Sequence, residues 1–455
     1  MSGALVLFTR DLRVRDQPAL ATAVREYDVV VPAFVLDREL LRGPCGSPNR
    51  LAFLLDCLGD LDDSLAVRGA RLLVRRGDVV EQALRLVREL DLSAICVSED
   101  VTPYARRRHA RLAAGCEHAR VALRTFPGVT VVPAGELVPS GGDHYRVFTP
   151  YWRVWSEAQL RPKASTPHRI PVPHSLQDAP PPPALENLTR EPPSPVLAKG
   201  GESAGRKQLT SWLRGGLSGY EQGHDDLAGA STSRLSTYLH FGCLSARTVL
   251  ERASSCAHAH APSTEGFARQ LCWRDFHHQV LAARPDMTHA DYRPRGDRWR
   301  IDAHASEAWR AGLTGYPIVD AGMRQLAREG FMHNRARMIV ASFLTKTLYL
   351  DWRIGAAHFA RLLVDADVAN NVGNWQWVAG TGNDTRPNRV LNPLRQAKRF
   401  DPRGDYVRRY VPELEAIAGA AVHEPWLLPR RCSPRDYPAP IVDPAAGAMR
   451  PSARS

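Results

Sequence analysis

The 455 residues exceed what one hydrophobic core holds, since cores stop growing at about 250 to 300 residues and longer chains split into domains. With 44% hydrophobic and 24% charged residues the chain is globular rather than disordered or collagen-like, and no uncharged apolar run approaches the roughly 18 residues of a membrane span or forms a secretory leader, which predicts a cytoplasmic protein that is neither exported nor membrane-embedded. The charge of +12 is uneven, with 26 basic against 23 acidic side chains in residues 1–200 and 34 against 25 in residues 201–455, so an anionic partner of the second part, nucleic acid first, is expected.

Taken in chain order, aliphatic runs at Leu5 to Thr9, Val29 to Leu36, Arg71 to Val74 and Ala94 to Val97 read as buried parallel strands. Amphipathic stretches at Pro18 to Tyr27, Asn49 to Arg68, Val79 to Leu90 and Pro103 to His118 read as the helices between them. This alternation predicts a doubly wound, Rossmann-like parallel sheet over residues 1–125, with ligands beyond the C-terminal strand ends where the strand order reverses. Arg10, Asp11, Asp37, Glu99 and Asp100 fall at such ends. No GxGxxG follows the first strand, so a dinucleotide held in the usual way is not expected there, and another planar or polar ligand, or none, remains.

Residues 126–200 read as an inter-domain linker, because stretches such as Asp178-Ala-Pro-Pro-Pro-Pro and Glu191-Pro-Pro-Ser-Pro continue neither helix nor sheet. From residue 201 to 455 helical periods take over, at Glu265 to Ala283, Ser306 to Leu313, Ile318 to Glu329 and His333 to Thr347, so the C-terminal domain is all-α. Eight cysteines without a CxxC pair indicate neither a disulfide framework nor a zinc site, and no metal is expected.

Three constellations carry chemistry. Asp365, Asp367, Asn370, Asn371, Asn374, Trp375 and Trp377 crowd two carboxylates, three amides and two indoles into thirteen positions. Such a polar edge in an aromatic wall suits a large heteroaromatic cofactor, and a solvated loop is the competing reading. On a helix, Asn334, Arg337 and Met338 share one face while Arg335 points about 100° away, and Arg337 beside Asp365 or Asp367 would form a buried ion pair. Thr232 to Ser236, after Gly219-Tyr220, offers hydroxyls and main-chain N–H groups at a helix start for a diphosphate, or simply an N-cap. Trp299, Trp352 and Trp375 fall in separate elements, where tryptophan more often fills core.

TSRLS at 232–236, QLCWRDF at 270–276, TGYPIVDAGMRQL at 314–326, HNRARM at 333–338, DWR at 351–353 and NWQWVAGTG at 374–382 resemble the DNA photolyase and cryptochrome family, and in particular its class I cyclobutane pyrimidine dimer photolyases. The match runs from Arg10-Asp11-Leu12-Arg13 to about Val442. The resemblance implies an antenna domain, a linker and a helical FAD- and DNA-binding domain, acting as a monomer without an obligate protein partner, in the cytoplasm or on a bacterial nucleoid. Tyr220, Thr232, Ser233, Arg234, Leu235, Ser236, Asn334, Arg337, Asp365, Ala366, Asp367 and Asn371 then match positions holding a U-shaped FAD, with Asn371 near the flavin N5 region. Trp375, Trp352 and Trp299 match a chain along which an electron hops to the flavin.

Trp273 and Trp377 match the walls that clamp a flipped pyrimidine dimer, Gln270 and Asn334 match positions at the lesion, and Arg335 and Arg389 match positions facing DNA. Stacking on such walls is worth about 1–3 kcal/mol per base, and the eight basic residues between Arg386 and Arg409 would neutralise phosphates. Arg10, Asp11, Asp37, Arg50, Glu99 and Asp100 match an antenna site, for which Ser47-Pro-Asn-Arg50-Leu favours 8-hydroxy-5-deazaflavin over methenyltetrahydrofolate. The expected activity is light-driven splitting of pyrimidine dimers; the alternatives are a cryptochrome-type sensor without repair and a (6-4) photolyase. Departures are Gln270 where many relatives carry Glu, which keeps a hydrogen-bond donor but cannot give a proton, Phe331 for a frequent Trp, and His224 for an Arg facing DNA.

Overall fold

The computed structural model describes residues 2–43, 46–173, 180–229, 231–256, 261–383, 386–429, 434 and 436–444, so Cys45, Cys432 and the start of the first proline-rich stretch, at 178–179, lie outside the described residues. The chain divides into two compact units, one of Met1–Pro193, Ala198–Glu221 and Ser233–Pro285, the other of Ser194–Leu197, Gln222–Thr232 and Asp286–Ser455.

The first unit is built on five parallel strands, β1 (Gly3–Phe8), β2 (Val29–Asp37), β3 (Leu73–Gly77), β4 (Ala94–Ser98) and β5 (Ala122–Phe126), in the order β3-β2-β1-β4-β5. The order reverses between β1 and β4. β1 is buried at every position because it pairs on both sides and is covered on both faces, which is why it is a continuous apolar run rather than an alternating one. Helices α1 (Pro18–Glu26), α2 (Arg38–Arg42), α3 (Pro48–Ala66), α4 (Val79–Glu89) and α5 (Pro103–Ala119) lie between the strands. Their starts are written locally: proline opens α1, α3 and α5, and the side chains of Gln17, Ser47, Asp78 and Thr102 accept from the first free N–H groups. Leu5, Leu7, Val31, Val35, Val80, Leu86, Ile95, Val97 and Leu112 form one core between the sheet and α4 and α5.

The strand and helix assignments made from the pattern hold in kind. β5 was absent from it, and β3 begins at Leu73 rather than Arg71. Within the stretch read as linker, α6 (Phe148–Ser156) forms, its Tyr151 and Trp155 buried, and Trp155 Nε1 donates to Asp275 at 3.0 Å. Helices α7 (Glu202–Gly215), α8 (Tyr220–Gly223), α9 (Ser236–His240), α10 (Ala246–Ser254) and α11 (Ala261–Ala283) follow. Gly242, at φ +67°, brings its Cα so close to the Arg10 carbonyl that a Cβ would sit 1.9 Å from the oxygen, which fixes Arg10 against the turn before α10.

The second unit holds α12 (Ala303–Ala311), α13 (Pro317–Glu329), α14 (Asn334–Ser342), α15 (Trp352–Leu362), α16 (Val368–Ala379), α17 (Pro393–Phe400) and α18 (Asp405–Tyr410). The helix expected over His333 to Thr347 is interrupted: α14 ends at Ser342 and Phe343–Thr347 form a π-helical turn, where Thr345 Oγ1 donates back to the Ala341 carbonyl. Gln325 ties three elements, accepting from Tyr406 Oη at 2.7 Å and from the His333 N–H at 3.1 Å and donating to Tyr410 Oη. No helix among the described residues is long and apolar enough to cross a membrane.

Candidate functional site

At the strand ends of the first unit the charges are largely spent on the fold. Asp11 is fully buried and accepts from the Thr9 N–H, Gln17 Nε2 and Ser98 Oγ at 2.7, 2.5 and 2.7 Å. Asp37 caps α2 through the Glu39 N–H and accepts from the Tyr104 hydroxyl. Burial, more than that bond, pushes the Tyr104 phenol far above its ordinary range. Asp100 accepts from Arg10 Nη1 at 3.3 Å and from the Thr102 N–H at 3.2 Å. Burial alone would raise its carboxyl, but Arg10, His278 and Arg108 hold it below the usual range. Arg10 also donates to the His240 carbonyl, Arg50 is buried in the first turn of α3, and Glu99 is exposed.

Beside these ends lies a cavity of about 440 Å3 at the termini of β4 and β5, lined by Glu99, Asp100, Arg106, Arg108, His109 and His278 among others. Arg108 escaped the sequence reading, because a run of three arginines on a helix looks like a solvated face. It is only 8% exposed.

Further along the first unit, Gln270 is exposed and Trp273 half-buried on the same side of α11, three residues apart. Trp273 stacks on Phe148, ring centroids 3.7 Å apart and planes 3° from parallel, so one face of the indole is already taken. Arg269 sits 5.6 Å over Phe148 and 5.1 Å over Trp152. Tyr220 is buried edge-to-face against Trp212 and Phe267. Of Ser233 to Ser236, Leu235 is buried and the other three are not; Arg234 has φ +52°, Ser233 Oγ accepts from the Leu235 N–H, and α9 starts without a side-chain cap. Thr232 belongs to the second unit.

In the second unit the expected ion pair is present. Arg337 Nη2 meets both Asp365 oxygens at 2.8 and 3.0 Å, and its Nε donates to the Met332 carbonyl. The carboxylate is 3% exposed and the guanidinium 24%, so the arginine keeps part of its hydration while its Nε gains the one further bond. Asp367 caps α16 by accepting from the backbone and side-chain amides of Asn370, and Ala366 lies half-buried between the two carboxylates. Asn371 Nδ2 donates to the Ala356 carbonyl on α15, which turns its Oδ1 into the remaining polar atom. Asn334 is exposed at the first position of α14, capped by His333.

Trp375 and Trp352 are buried at 3% and 1%, whereas Trp299 is half-buried. The three rings do not stack on one another. Trp375 meets Phe359 and Trp309 edge-to-face at 5.0 and 6.1 Å, Trp352 donates to Asp291 Oδ1, and Trp299 packs on Tyr349. Trp375 also lies over Gly355, where a Cβ would come within 2.1 Å of the ring.

Trp377 is half-buried with Arg389 5.2 Å above it, and Arg389 is exposed. Arg335 is engaged within the unit: Nε and Nη2 donate to Asp225 at 3.0 and 2.6 Å, and the guanidinium lies 4.4 Å over Phe400. His224 stands beside the same carboxylate at 3.9 Å. The residues fit an FAD in chemistry: a paired arginine and carboxylate, an amide acceptor with its donor side fixed, and hydroxyls in an open segment.

Residues 4–174 match the family model described as DNA photolyase, and residues 267–454 match the FAD binding domain of DNA photolyase. The deoxyribodipyrimidine photo-lyase of Streptomyces griseus is 53% identical over 455 residues, covering 99% of this chain and 98% of the relative. Among solved structures, a bacterial class III photolyase from Agrobacterium tumefaciens has a TM-score of 0.91 at 34% identity, over 97% of this chain and 95% of that one. An archaeal photolyase from Sulfolobus tokodaii, described with two FAD molecules and the implication of a novel light-harvesting cofactor, has a TM-score of 0.84 at 32% identity, over 97% of this chain and 96% of that one. The chain therefore belongs to the DNA photolyase family.

Proposed function

We propose that this protein is an FAD-dependent lyase that splits cyclobutane pyrimidine dimers in DNA under light, acting as a monomer in the cytoplasm without an obligate protein partner. The observation that carries the reading is the arrangement on α14 and α16, in which Arg337 and Asp365 pair under cover while Asn371 has its Nδ2 fixed by Ala356. Full-length identity of 53% to a deoxyribodipyrimidine photo-lyase supports it.

In this reading Arg337, Asp365, Ala366, Asp367 and Asn371, with Thr232, Asn334, Tyr220 and Ser233 to Ser236, hold the FAD. Reduced FAD, when bound, supplies the electron that opens the cyclobutane ring on illumination and takes it back, so no net redox change results. The protein's work is positioning and electrostatics. Asn371 presents an acceptor without a charge near the flavin N5 region. Trp375, Trp352 and Trp299 carry electrons inward. A dimer must leave the duplex to be reached, and damaged bases cost less to unstack than intact ones. Trp273, with one face on Phe148, and Trp377, under Arg389, supply the flat surfaces for it, while Gln270 and Asn334 hydrogen-bond its carbonyls. Arg389 and Arg335 meet phosphates.

For the antenna, the reading is 8-hydroxy-5-deazaflavin, with methenyltetrahydrofolate as the alternative, near Arg10, Asp37, Arg50, Glu99 and Asp100. Asp11 serves that site by holding the Arg10 loop, since its own oxygens are taken. The test of lesion recognition is a binding titration in the dark. The protein is expected to prefer a duplex carrying one dimer over the same duplex undamaged, and Trp377→Ala is expected to lose tenfold or more of that preference, in line with about 1–3 kcal/mol per stacked base. Equal affinity of the unaltered protein for both duplexes overturns the proposal.

A further inference from the structure

The segment that carries Arg389 lies on the surface of the second unit without a core of its own. Arg386, Asn388, Arg389 and Val390 are exposed and Pro387 is only half-buried, so apolar packing does little to hold the chain there. Polar ties take the place of a core. Lys346 Nζ donates to the Pro387 carbonyl at 3.0 Å and to the Ala379 carbonyl at 2.5 Å, which joins the segment to the last residue of α16. Arg295 adds a second tie, Nη1 donating to the same Pro387 oxygen at 3.3 Å and Nη2 to Asn388 Oδ1 at 2.9 Å. A carbonyl oxygen has two lone pairs and accepts from both cations. Two residues beyond Arg389, the Leu391 N–H donates to Ser342 Oγ at 3.0 Å. Arg389 is thus fastened on both flanks, and between the fastenings its guanidinium lies 5.2 Å over the Trp377 ring.

We infer that Lys346, with Arg295, is a positioning residue for lesion recognition: it holds the Arg389 segment against Trp377 before DNA arrives, so that the flat ring and the cation above it are presented together. The inference rests on the reading of Trp377 and Arg389 given above and deepens it. Local structure places Lys346 for the task. It sits in the π-helical turn Phe343–Thr347, closed by the Leu348 N–H on the Phe343 carbonyl at 2.9 Å, and such turns recur at functional sites. Its positive charge at the C-terminal end of α16 is also favoured by the helix dipole. A segment ordered in advance loses less freedom when a ligand binds, so the gain falls on affinity. Because Lys346 works through the segment, its removal weakens binding and leaves ring opening alone.

The test compares, on the FAD-saturated full chain, dark binding of a duplex carrying one cyclobutane dimer with light-driven repair at saturating DNA. Lys346→Met, which keeps most of the side chain and removes the ammonium, is expected to weaken binding at least tenfold while repair per absorbed photon at saturation stays the same. Lys346→Arg is expected to recover most of the loss, because a guanidinium again donates to both carbonyls. In an Arg389→Ala background the Lys346→Met change is expected to alter binding less than twofold, since the group it positions is gone. Unchanged binding by Lys346→Met, a loss that persists in full in the Arg389→Ala background, or a fall in repair at saturation with binding intact overturns the inference and leaves the lesion reading standing. Should Lys346→Met shed its FAD, Asn388→Ala frees the segment from Arg295 at an exposed position; it is expected to weaken binding threefold or more, and unchanged binding overturns the inference equally. Unchanged binding by Arg389→Ala alone overturns the reading of Arg389, and the inference with it.

Discussion

The strand ends of the first unit and the α14–α16 region of the second are both rich in charge, but they use it differently. At the strand ends the carboxylates of Asp11, Asp37 and Asp100 are consumed by neighbouring donors, whereas Glu99 is exposed and Arg108 Nε is buried without a hydrogen-bond partner among the described residues. On α14–α16 the ion pair and the caps are closed, and what remains open is neutral: the Asn334 amide, Asn371 Oδ1 and the indole of Trp377. The two regions therefore differ in what they leave open, charged groups at the strand ends and neutral ones on α14 and α16.

The comparison is sharpened first by removing its strongest tie. Arg337→Ala leaves Asp365 buried without its cation and is expected to cost about 3–4 kcal/mol in urea unfolding. It is also expected to strip FAD from the protein on gel filtration, and retention of full FAD would separate the pair from the cofactor. Asp11→Ala, which orphans three donors, is expected to cost about 2–3 kcal/mol in the same assay while FAD content stays unchanged.

A pH experiment comes next. Burial, helped by Arg310 and Arg361, depresses the His358 imidazole to about 4, and its Nε2 is buried without a partner. Unfolded, the imidazole titrates near about 6.5. The unfolded state therefore binds more protons between these values, so stability present above about pH 6.5 is lost as pH falls toward 4, amounting to about 2 kcal/mol between pH 7.5 and 5. In His358→Leu that slope is expected to flatten, and an unchanged slope would assign it to other groups.

Trp375→Phe is expected to slow photoreduction of oxidised flavin at least tenfold, equivalent to about 1.4 kcal/mol of barrier, while repair by chemically reduced protein persists. Loss of repair under those conditions would contradict a purely electron-relay role. The smallest effect belongs to Arg335→Ala. A free phosphate contact changes the log–log salt slope of DNA binding by about 0.9, but Asp225 already holds Arg335, so less than half of that is expected. Asp225→Asn should restore the full contribution of the arginine.

The sheet was legible because β1, β2 and β4 are buried on both faces and so appear as unbroken apolar runs. β5 was not: the sequence Ala122-Leu-Arg-Thr-Phe126 is short and none of it is fully buried, as befits an edge strand. Helix α6 was hidden by the prolines around it, although Tyr151 and Trp155 carry a helical spacing. An ion pair of Arg337 with Asp365 or Asp367 could be anticipated from the helix face that Arg337 occupies, but which of the two carboxylates it meets could not. Its counterpart, Arg335 with Asp225, spans 110 residues and has no local signature. Burial of Arg108 follows from packing across elements far apart in the chain, which a charge pattern on one helix does not encode.

Everything turns on whether light makes this protein undo a covalent lesion. Purified protein, its flavin chemically reduced, is illuminated with oligonucleotides bearing either a cyclobutane thymine dimer or a (6-4) product, alongside dark controls, and the strands are chromatographed. The account predicts intact thymines from the cyclobutane substrate in the light only, and no change in the (6-4) strand. A cyclobutane dimer that survives illumination in the presence of bound, reduced FAD contradicts it.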